Sequence, residues 1–227
     1  YLILGSAFGD VVLEGPAPTI GTVTALNKNT GKIVWQTYTA VGEWVEGENS
    51  SVNGGATVWT GGAIDTDKGV VYLPCGNPAP DFDASSRPGE NQYANNVIAV
   101  NITTGKIIWA TPLIETGTVL NVTIPDTHDW DTCWGTNLVT INSTNCSEKI
   151  VIGHNKRGDV MAMDSDTGKP IWWTNVAYLY RVDVPAMPNG SGPVWPSVSG
   201  GVMAYSAFDE NNLYVAVSNQ GANFFSR

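Results

Sequence analysis

The residues of this chain best equipped for chemistry fall in four short stretches. His128-Asp129-Trp130-Asp131 carries two carboxylates, groups able to accept a proton. Asn77, between Gly76 and Pro78, offers an amide carbonyl, a hard oxygen donor suited to calcium. Trp59, at the end of Gly54-Gly55-Ala56-Thr57-Val58-Trp59, offers a flat aromatic face that suits a planar ligand. Lys156, in Asn155-Lys156-Arg157-Gly158, carries a charge able to stabilise developing negative charge. Each type also has an ordinary use: a turn Asn before proline, a turn Asp, a packing Trp, a solvated cation. Other chemistry finds little support. The two histidines, His128 and His154, make no zinc site with cysteines at these spacings, and no glycine loop has the form that cradles phosphate. Asp81 and Asp83 sit in a Pro-rich loop and read as solvated. Arg157-Gly158-Asp159 spells an adhesion tripeptide, but its strand-turn register makes that a coincidence.

These residues need a frame, and the frame is a repeat. The pattern Ala-x-Asn-x-x-Thr-Gly-Lys-x-x-Trp runs from Ala25 to Trp35 and again from Ala99 to Trp109. A third copy, Ala162 to Trp172, has Asp164 in place of the Asn. The starts lie 74 and 63 residues apart, a period that points to a propeller or a solenoid. In each copy an alternating apolar strand leads into a polar turn, and a second strand closes on Trp. Glycine in the turn supplies positive φ without steric cost. The Trp is expected to pack between neighbouring sheets. Further strands are expected over Ala56–Ile64, Gly69–Cys75, Lys149–Gly153, Gly158–Met163, Val202–Phe208 and Asn212–Ser218, with hairpins at Ile64–Val70 and Phe208–Leu213. Pro78–Gln92 and Leu113–Asp126 read as long loops. No amphipathic helix stands out. The expected architecture is all-β: a β-propeller of four-stranded blades, with residues 1–227 forming one incomplete domain of about four blades.

Composition agrees. The 227 residues are 42% hydrophobic and only 14% charged, with nine Trp and 25 Gly, which suits short strands and tight turns. A net charge of −10 argues against nucleic acid and anionic membrane surfaces as partners. No apolar run approaches the roughly 18 residues that a membrane-spanning helix needs. The chain opens without Met and reads as an internal segment of a longer protein or a processed product. Six sequons, at Asn49, Asn101, Asn121, Asn142, Asn145 and Asn189, fit either composition alone or a glycosylated exported protein. With the low Lys content they favour an extracellular, cell-surface or periplasmic location. Cys133 and Cys146 can close a short loop, and such a bridge stabilises by roughly 3 kcal/mol. Cys75, inside a strand-like run, reads as a small buried hydrophobe.

With the repeats, the Gly54–Trp59 block followed by Gly76-Asn77-Pro78, and His128-Asp129-Trp130-Asp131 in view, the chain resembles the quinoprotein alcohol dehydrogenases. That family consists of eight-bladed β-propellers that use pyrroloquinoline quinone (PQQ) and a metal ion. The resemblance is densest from Gly54 to Trp109, fair from Tyr1 to Trp35, and thin after Trp172. It implies that Trp59 is the floor on which the quinone stacks and Thr57 a polar contact to it. Asn77 then matches a metal ligand, and Asp131 the catalytic aspartate beside the metal. Asp10 falls where the family has a glutamate ligand, one bond longer. Lys156 matches the cation that hydrogen-bonds the reactive quinone oxygens, with Arg157 as the alternative by register. Cys133 stands where lanthanide-dependent members carry another Asp, which implies calcium. The family's His-Asp-x-Trp-Asp is one residue longer than the motif here, and its adjacent-cysteine ring has no counterpart in this chain. The implied activity is oxidation of a small alcohol, with electrons passed to an external acceptor such as a cytochrome. The remaining blades would come from the rest of the chain or from a second chain. The rival expectation is a propeller glycoprotein, secreted or at the cell surface, that keeps the fold as a binding or structural module without the chemistry.

Overall fold

The computed structural model of the chain describes residues 1–7, 20–40, 54–79, 91–114, 128–142, 147–180, 182, 195–197 and 199–220. Asp10, Asn49, Asp81, Asp83, Asn121, Asn145, Cys146, Asn189 and most of the two long loops lie outside these residues. Every regular element among the described residues is a strand. β1 (Leu2–Gly5), β2 (Thr22–Leu26) and β3 (Ile33–Tyr38) form a three-stranded sheet in that order. β4 (Gly54–Gly55) pairs with β7 (Pro78–Ala79) as a short ribbon. β5 (Ala63–Asp65), β6 (Val70–Pro74), β8 (Asn96–Asn101) and β9 (Ile107–Pro112) form a four-stranded sheet in chain order. β10 (Asn137–Asn142), β11 (Ser147–His154), β12 (Asp159–Asp164) and β13 (Pro170–Asn175) form another. β14 (Ala207–Phe208) and β15 (Leu213–Tyr214) make a hairpin. Meandering antiparallel order in each sheet is the blade pattern of a propeller. Two blades are complete, one shows three strands, and one shows a hairpin.

The blades stack face to face, and alternation along each strand explains how. In β8, Val97 and Ala99 face one neighbour while Ile98 and Val100 face the other, and all four are fully buried. Val97 and Ala99 join Val70, Tyr72, Leu113, Val151, Met161 and Met163 between the two complete blades. Ile98 and Val100 join Val23, Val71 and Leu73 between the first and second blades. Ile150, Ile152, Val160 and Ala162 meet Leu213, Val215 and Val217 between the third blade and the last hairpin. Such strands read as continuous apolar runs because neither face meets water.

The repeat is a blade-to-blade latch. Asn27, Asn101 and Asp164 each accept two backbone N–H groups through Oδ1, from Asn29 and Thr30, Thr103 and Thr104, and Asp166 and Thr167 respectively. The turn needs only an oxygen acceptor there, so Asp164 replaces Asn without loss. Trp35 Nε1 donates to Ile102 O at 2.8 Å, and Trp109 Nε1 donates to Ser165 O at 3.1 Å. Thr37 and Thr111 hydroxyls donate to Gly105 O and Gly168 O of the same turns. Each Trp thus docks on the turn of the next blade. Trp172 is 40% exposed, and no turn among the described residues receives it. Ion pairs across the same junction, Lys149 with Asp65 at 2.8 Å and Lys68 with Asp166, tie the two complete blades at their rim.

The glycine of the latch is constrained twice. Gly105 has φ +73, and a Cβ there would lie 2.6 Å from Trp35 ring carbons. Gly31 has φ +69 with nothing within 4 Å of such a Cβ. Gly105→Ala is expected to cost about 2–5 kcal/mol, from positive φ and overpacking together, whereas Gly31→Ala costs only the conformational term of about 1–2 kcal/mol. Urea unfolding of the two variants measures the difference. Equal losses would mean that Trp35 does not dock on this turn.

Three expectations need correction. The run Ala56–Ile64 is a strand only from Ala63: Ala56 takes φ +50, which turns the chain out of extended geometry toward the site. Val202–Phe208 and Asn212–Ser218 pair regularly only at Ala207–Phe208 and Leu213–Tyr214. The loop expected over Pro78–Gln92 begins as a strand, since Pro78–Ala79 pairs with Gly54–Gly55. Cys133 is a free, buried thiol, and Cys146, its expected partner, lies outside the described residues. Cys75 is fully buried, as the sequence suggests.

Candidate functional site

The β4–β7 ribbon builds one wall. Gly54 and Gly55 pair with Ala79 and Pro78, and the pairing continues as Ala56 N–H donating to Asn77 O at 2.7 Å and Gly76 N–H to Thr57 O at 2.9 Å. Gly55, at φ +85, permits this approach: a Cβ would lie 2.5 Å from Asn77 O and Ala79 N. The ribbon sets Thr57, Trp59 and Asn77 on one surface although some twenty residues separate them. Gly76 is the second permissive position, since a Cβ there would collide with Asp131 Oδ1 and sit 2.9 Å from Trp59 Nε1.

The other wall comes from the third blade. Asn155 bridges to Thr132, and Lys156 N–H donates to Asp131 O at 3.1 Å. This backbone zipper carries Asp129 and Asp131 against the turn that bears Lys156. Lys156 Nζ then donates to Asp131 Oδ2 at 2.6 Å and to Asp129 Oδ1 at 2.7 Å. Asp131 Oδ1 accepts the Asn77 backbone N–H at 2.7 Å, and Asp129 Oδ1 accepts Asn77 Nδ2 at 2.9 Å. Lys156 Nζ also lies 5.5 Å from the Trp59 ring centroid. Trp134 meets Trp59 edge-on at 5.2 Å and 77°. All of Asn77, Asp129, Asp131 and Lys156 are buried.

Burial disfavours the charge on Lys156, but Asp131 and Asp129 override it and hold the ammonium above its ordinary range. Burial, then the Asp131 charge, pushes Asp129 up against the pull of Lys156. Two carboxylates with one ammonium leave the buried cluster with a net charge of −1 when all three are ionised. Asn77 Oδ1, aimed away from Asp129, is buried without a hydrogen-bond partner among the described residues. An orphaned hard oxygen beside two carboxylates that share one ammonium fits a divalent cation. Thr57 Oγ1, Thr132 Oγ1 and the indole N–H groups of Trp59 and Trp134 are likewise buried and unpartnered. Donors and hydroxyls around two half-buried indoles fit a flat, oxygen-rich ligand.

Arg157 does not join the cluster. It pairs with Asp159 at 3.3 Å and lies 5.5 Å over Trp130, which stacks on His128 at 4.1 Å and 24°. Of the two cations, Lys156 meets Asp129, Asp131 and Trp59, whereas Arg157 braces the segment behind them. Asp129, within the His-Asp-Trp-Asp motif, has no role assigned by the sequence, yet it is the second partner of both Asn77 and Lys156. The spacing of two along an extended segment was the available signal. Asn101 lies in an exposed turn with its Oδ1 engaged, and Asn142 closes β10. The adhesion-like Arg157 and Asp159 are both buried.

His154, in β11 beside this wall, is 1% exposed, and burial pulls its pKa down to about 4. Folded, it stays neutral, while the unfolded chain protonates below about 6.5. Its contribution to stability is therefore lost as pH falls from 6.5 toward 4, by about 3 kcal/mol. Asp129, raised in the fold, slopes the other way over this range. The effect is read as the difference between wild type and His154→Gln in urea unfolding at pH 6.5 and 4.5. A difference that does not change with pH would contradict it.

Comparison with known proteins bears on this arrangement. The family model described as PQQ, glucose/ethanol/alcohol dehydrogenase, beta-propeller domain, matches residues 1–187. A quinohemoprotein alcohol dehydrogenase, ADH IIB of Pseudomonas putida, is 26% identical over 211 residues, covering 79% of this chain and 29% of that protein. A polyvinylalcohol dehydrogenase of Pseudomonas sp. is 26% identical, covering 88% of this chain and 29% of that protein. The chain thus spans less than a third of the length of either. Among solved structures, the quinohemoprotein alcohol dehydrogenase ADHIIG of Pseudomonas putida HK5 superposes with a TM-score of 0.72 at 18% identity, over 95% of this chain and 35% of that one. A europium-containing methanol dehydrogenase gives 0.68 at 19% identity, over 91% of this chain and 40% of that one. These superpositions establish the propeller fold.

Proposed function

Because the chain belongs to the PQQ-type glucose/ethanol/alcohol dehydrogenase β-propeller family, we propose that it forms the part of such an enzyme that holds the quinone and a calcium ion. In this reading residues 1–227 are one partial propeller domain, completed by the remainder of a longer chain or by a second chain. The assembled protein oxidises a small alcohol and passes electrons to an external acceptor such as a cytochrome. The sequons and the low Lys content support an extracellular, cell-surface or periplasmic setting; among the described residues no helix is long and apolar enough to cross a membrane.

One observation carries the proposal: Asn77, Asp131 and Lys156, from three separate stretches of sequence, converge in a buried cluster beside Trp59. Asn77 Oδ1 and the Asp131 carboxylate would hold the cation, with Asp10 a further ligand by resemblance. Trp59 would supply the stacking face and Thr57 a hydroxyl contact. The bound quinone supplies a two-electron acceptor for the hydride of the alcohol. Asp131 accepts the proton of the substrate hydroxyl. Lys156 would supply positive charge to a ligand stacked on Trp59, and its bond to Asp131 Oδ2 fixes the carboxylate in one rotamer. Burial keeps water from competing for the same positions.

The test is reconstitution of the full chain within its intact protein with PQQ and calcium. Quinone absorbance and calcium-dependent dye reduction with a primary alcohol are expected. Absence of both quinone and cation by mass spectrometry and metal analysis would favour the binding or scaffold reading. In that case the sequons, with Asn101 in its exposed turn, become the place to look for glycans.

A further inference from the structure

We infer that Asp129 is the positioning residue that aims the Asn77 carbonyl oxygen into the cation position. This rests on the cation reading above and names a residue that the reading itself leaves without a role. A side-chain amide has two faces of nearly the same shape, so a ligand Asn needs something to decide which face points at the metal. The backbone of Asn77 is fixed by its N–H bond to Asp131 Oδ1 at 2.7 Å, which leaves only the amide rotation open. Asp129 Oδ1 lies 2.9 Å from Asn77 Nδ2. That same Oδ1 already accepts the Lys156 ammonium and so presents an acceptor to Asn77, which selects the amide nitrogen and turns the oxygen away. That oxygen is buried and meets no donor among the described residues. The opposite rotation would set oxygen against oxygen.

Asp129 is itself held. Lys156 Nζ donates to the same Oδ1 at 2.7 Å while donating to Asp131 at 2.6 Å. One ammonium thus fixes the ligand carboxylate and the residue that orients the ligand amide. The stack of Arg157 on Trp130 and Trp130 on His128 braces the segment between the two carboxylates. Partners of this kind typically govern metal affinity by 10–100-fold.

Calcium titration of the metal-free intact protein by calorimetry reads this without turnover. Asp129→Ala and Asp129→Asn are expected to weaken calcium binding about 10–100-fold. The exchange Asn77→Asp with Asp129→Asn keeps the net charge and the hydrogen bond but reverses its donor, and a carboxylate has no wrong face. That double variant is expected to bind within a few-fold of wild type, and it decides the matter should either single variant fold poorly by circular dichroism. Wild-type affinity in Asp129→Ala overturns the inference and leaves the cation reading standing, as does a double variant no better than the single ones. No calcium binding by wild type overturns both.

Discussion

Asp131→Asn is expected to lower the turnover of the reconstituted protein by about 10³-fold while leaving quinone absorbance in place. The substitution is nearly isosteric. Its Oδ1 can still accept the Asn77 backbone N–H at the 2.7 Å contact, so the ribbon wall keeps its position. What disappears is the proton acceptor, and a positioned acid or base is worth roughly 10²–10⁴ in rate. The introduced Nδ2 then stands opposite the Lys156 ammonium in place of Oδ2, donor against donor, so a stability loss of about 1–3 kcal/mol is expected as well. Steady-state dye reduction together with an absorbance spectrum separates loss of chemistry from loss of cofactor. Turnover within tenfold of wild type would remove Asp131 from the mechanism.

Lys156→Met is expected to have the largest effect on stability, a loss of about 3–5 kcal/mol in the absence of added cations. Removing one member of a buried ion group strands the charge that it compensated, and here two carboxylates are stranded at once. The pH dependence changes in a defined direction. With the ammonium gone, Asp129 keeps the burial and the Asp131 charge that raise its pKa and loses the group that pulled against them, so its folded pKa lies still further above the unfolded one. A raised carboxylate stabilises below its folded pKa and ceases to do so as pH rises through it. The variant should therefore be more stable at pH 5 than at pH 8. Millimolar calcium should restore part of the loss at pH 8, since a divalent ion replaces the missing charge. Urea unfolding at both pH values, with chelator and with calcium, tests each statement. A variant as stable as wild type at pH 8 with chelator would mean that the cluster is hydrated rather than sealed.

Much of this site was legible in one dimension because residue type limits what a position can do. Asn77 and Asp131 stand out as a hard oxygen donor and a proton acceptor, and Trp59 as a flat face. What one dimension hides is direction. Lys156 and Arg157 are adjacent, equally cationic and equally compatible with the turn, yet one enters the site and the other stacks behind it. Asp129 is invisible for a related reason. Its value lies in touching Asn77 and Lys156, residues 52 and 27 positions away, and nothing local signals such contacts.

The same division holds for the frame. The sequence by itself determined the blade: alternating apolar strands, an Asx turn, a glycine that needs positive φ and a closing Trp are local demands that each copy of the repeat meets. Only the tertiary structure decided where Ala56 leaves extended geometry, that Cys133 is a buried free thiol, and which amide face of Asn77 turns away from Asp129. Those outcomes depend on packing between segments that are distant along the chain. A local pattern specifies the conformations a segment can adopt, and long-range contacts select among them.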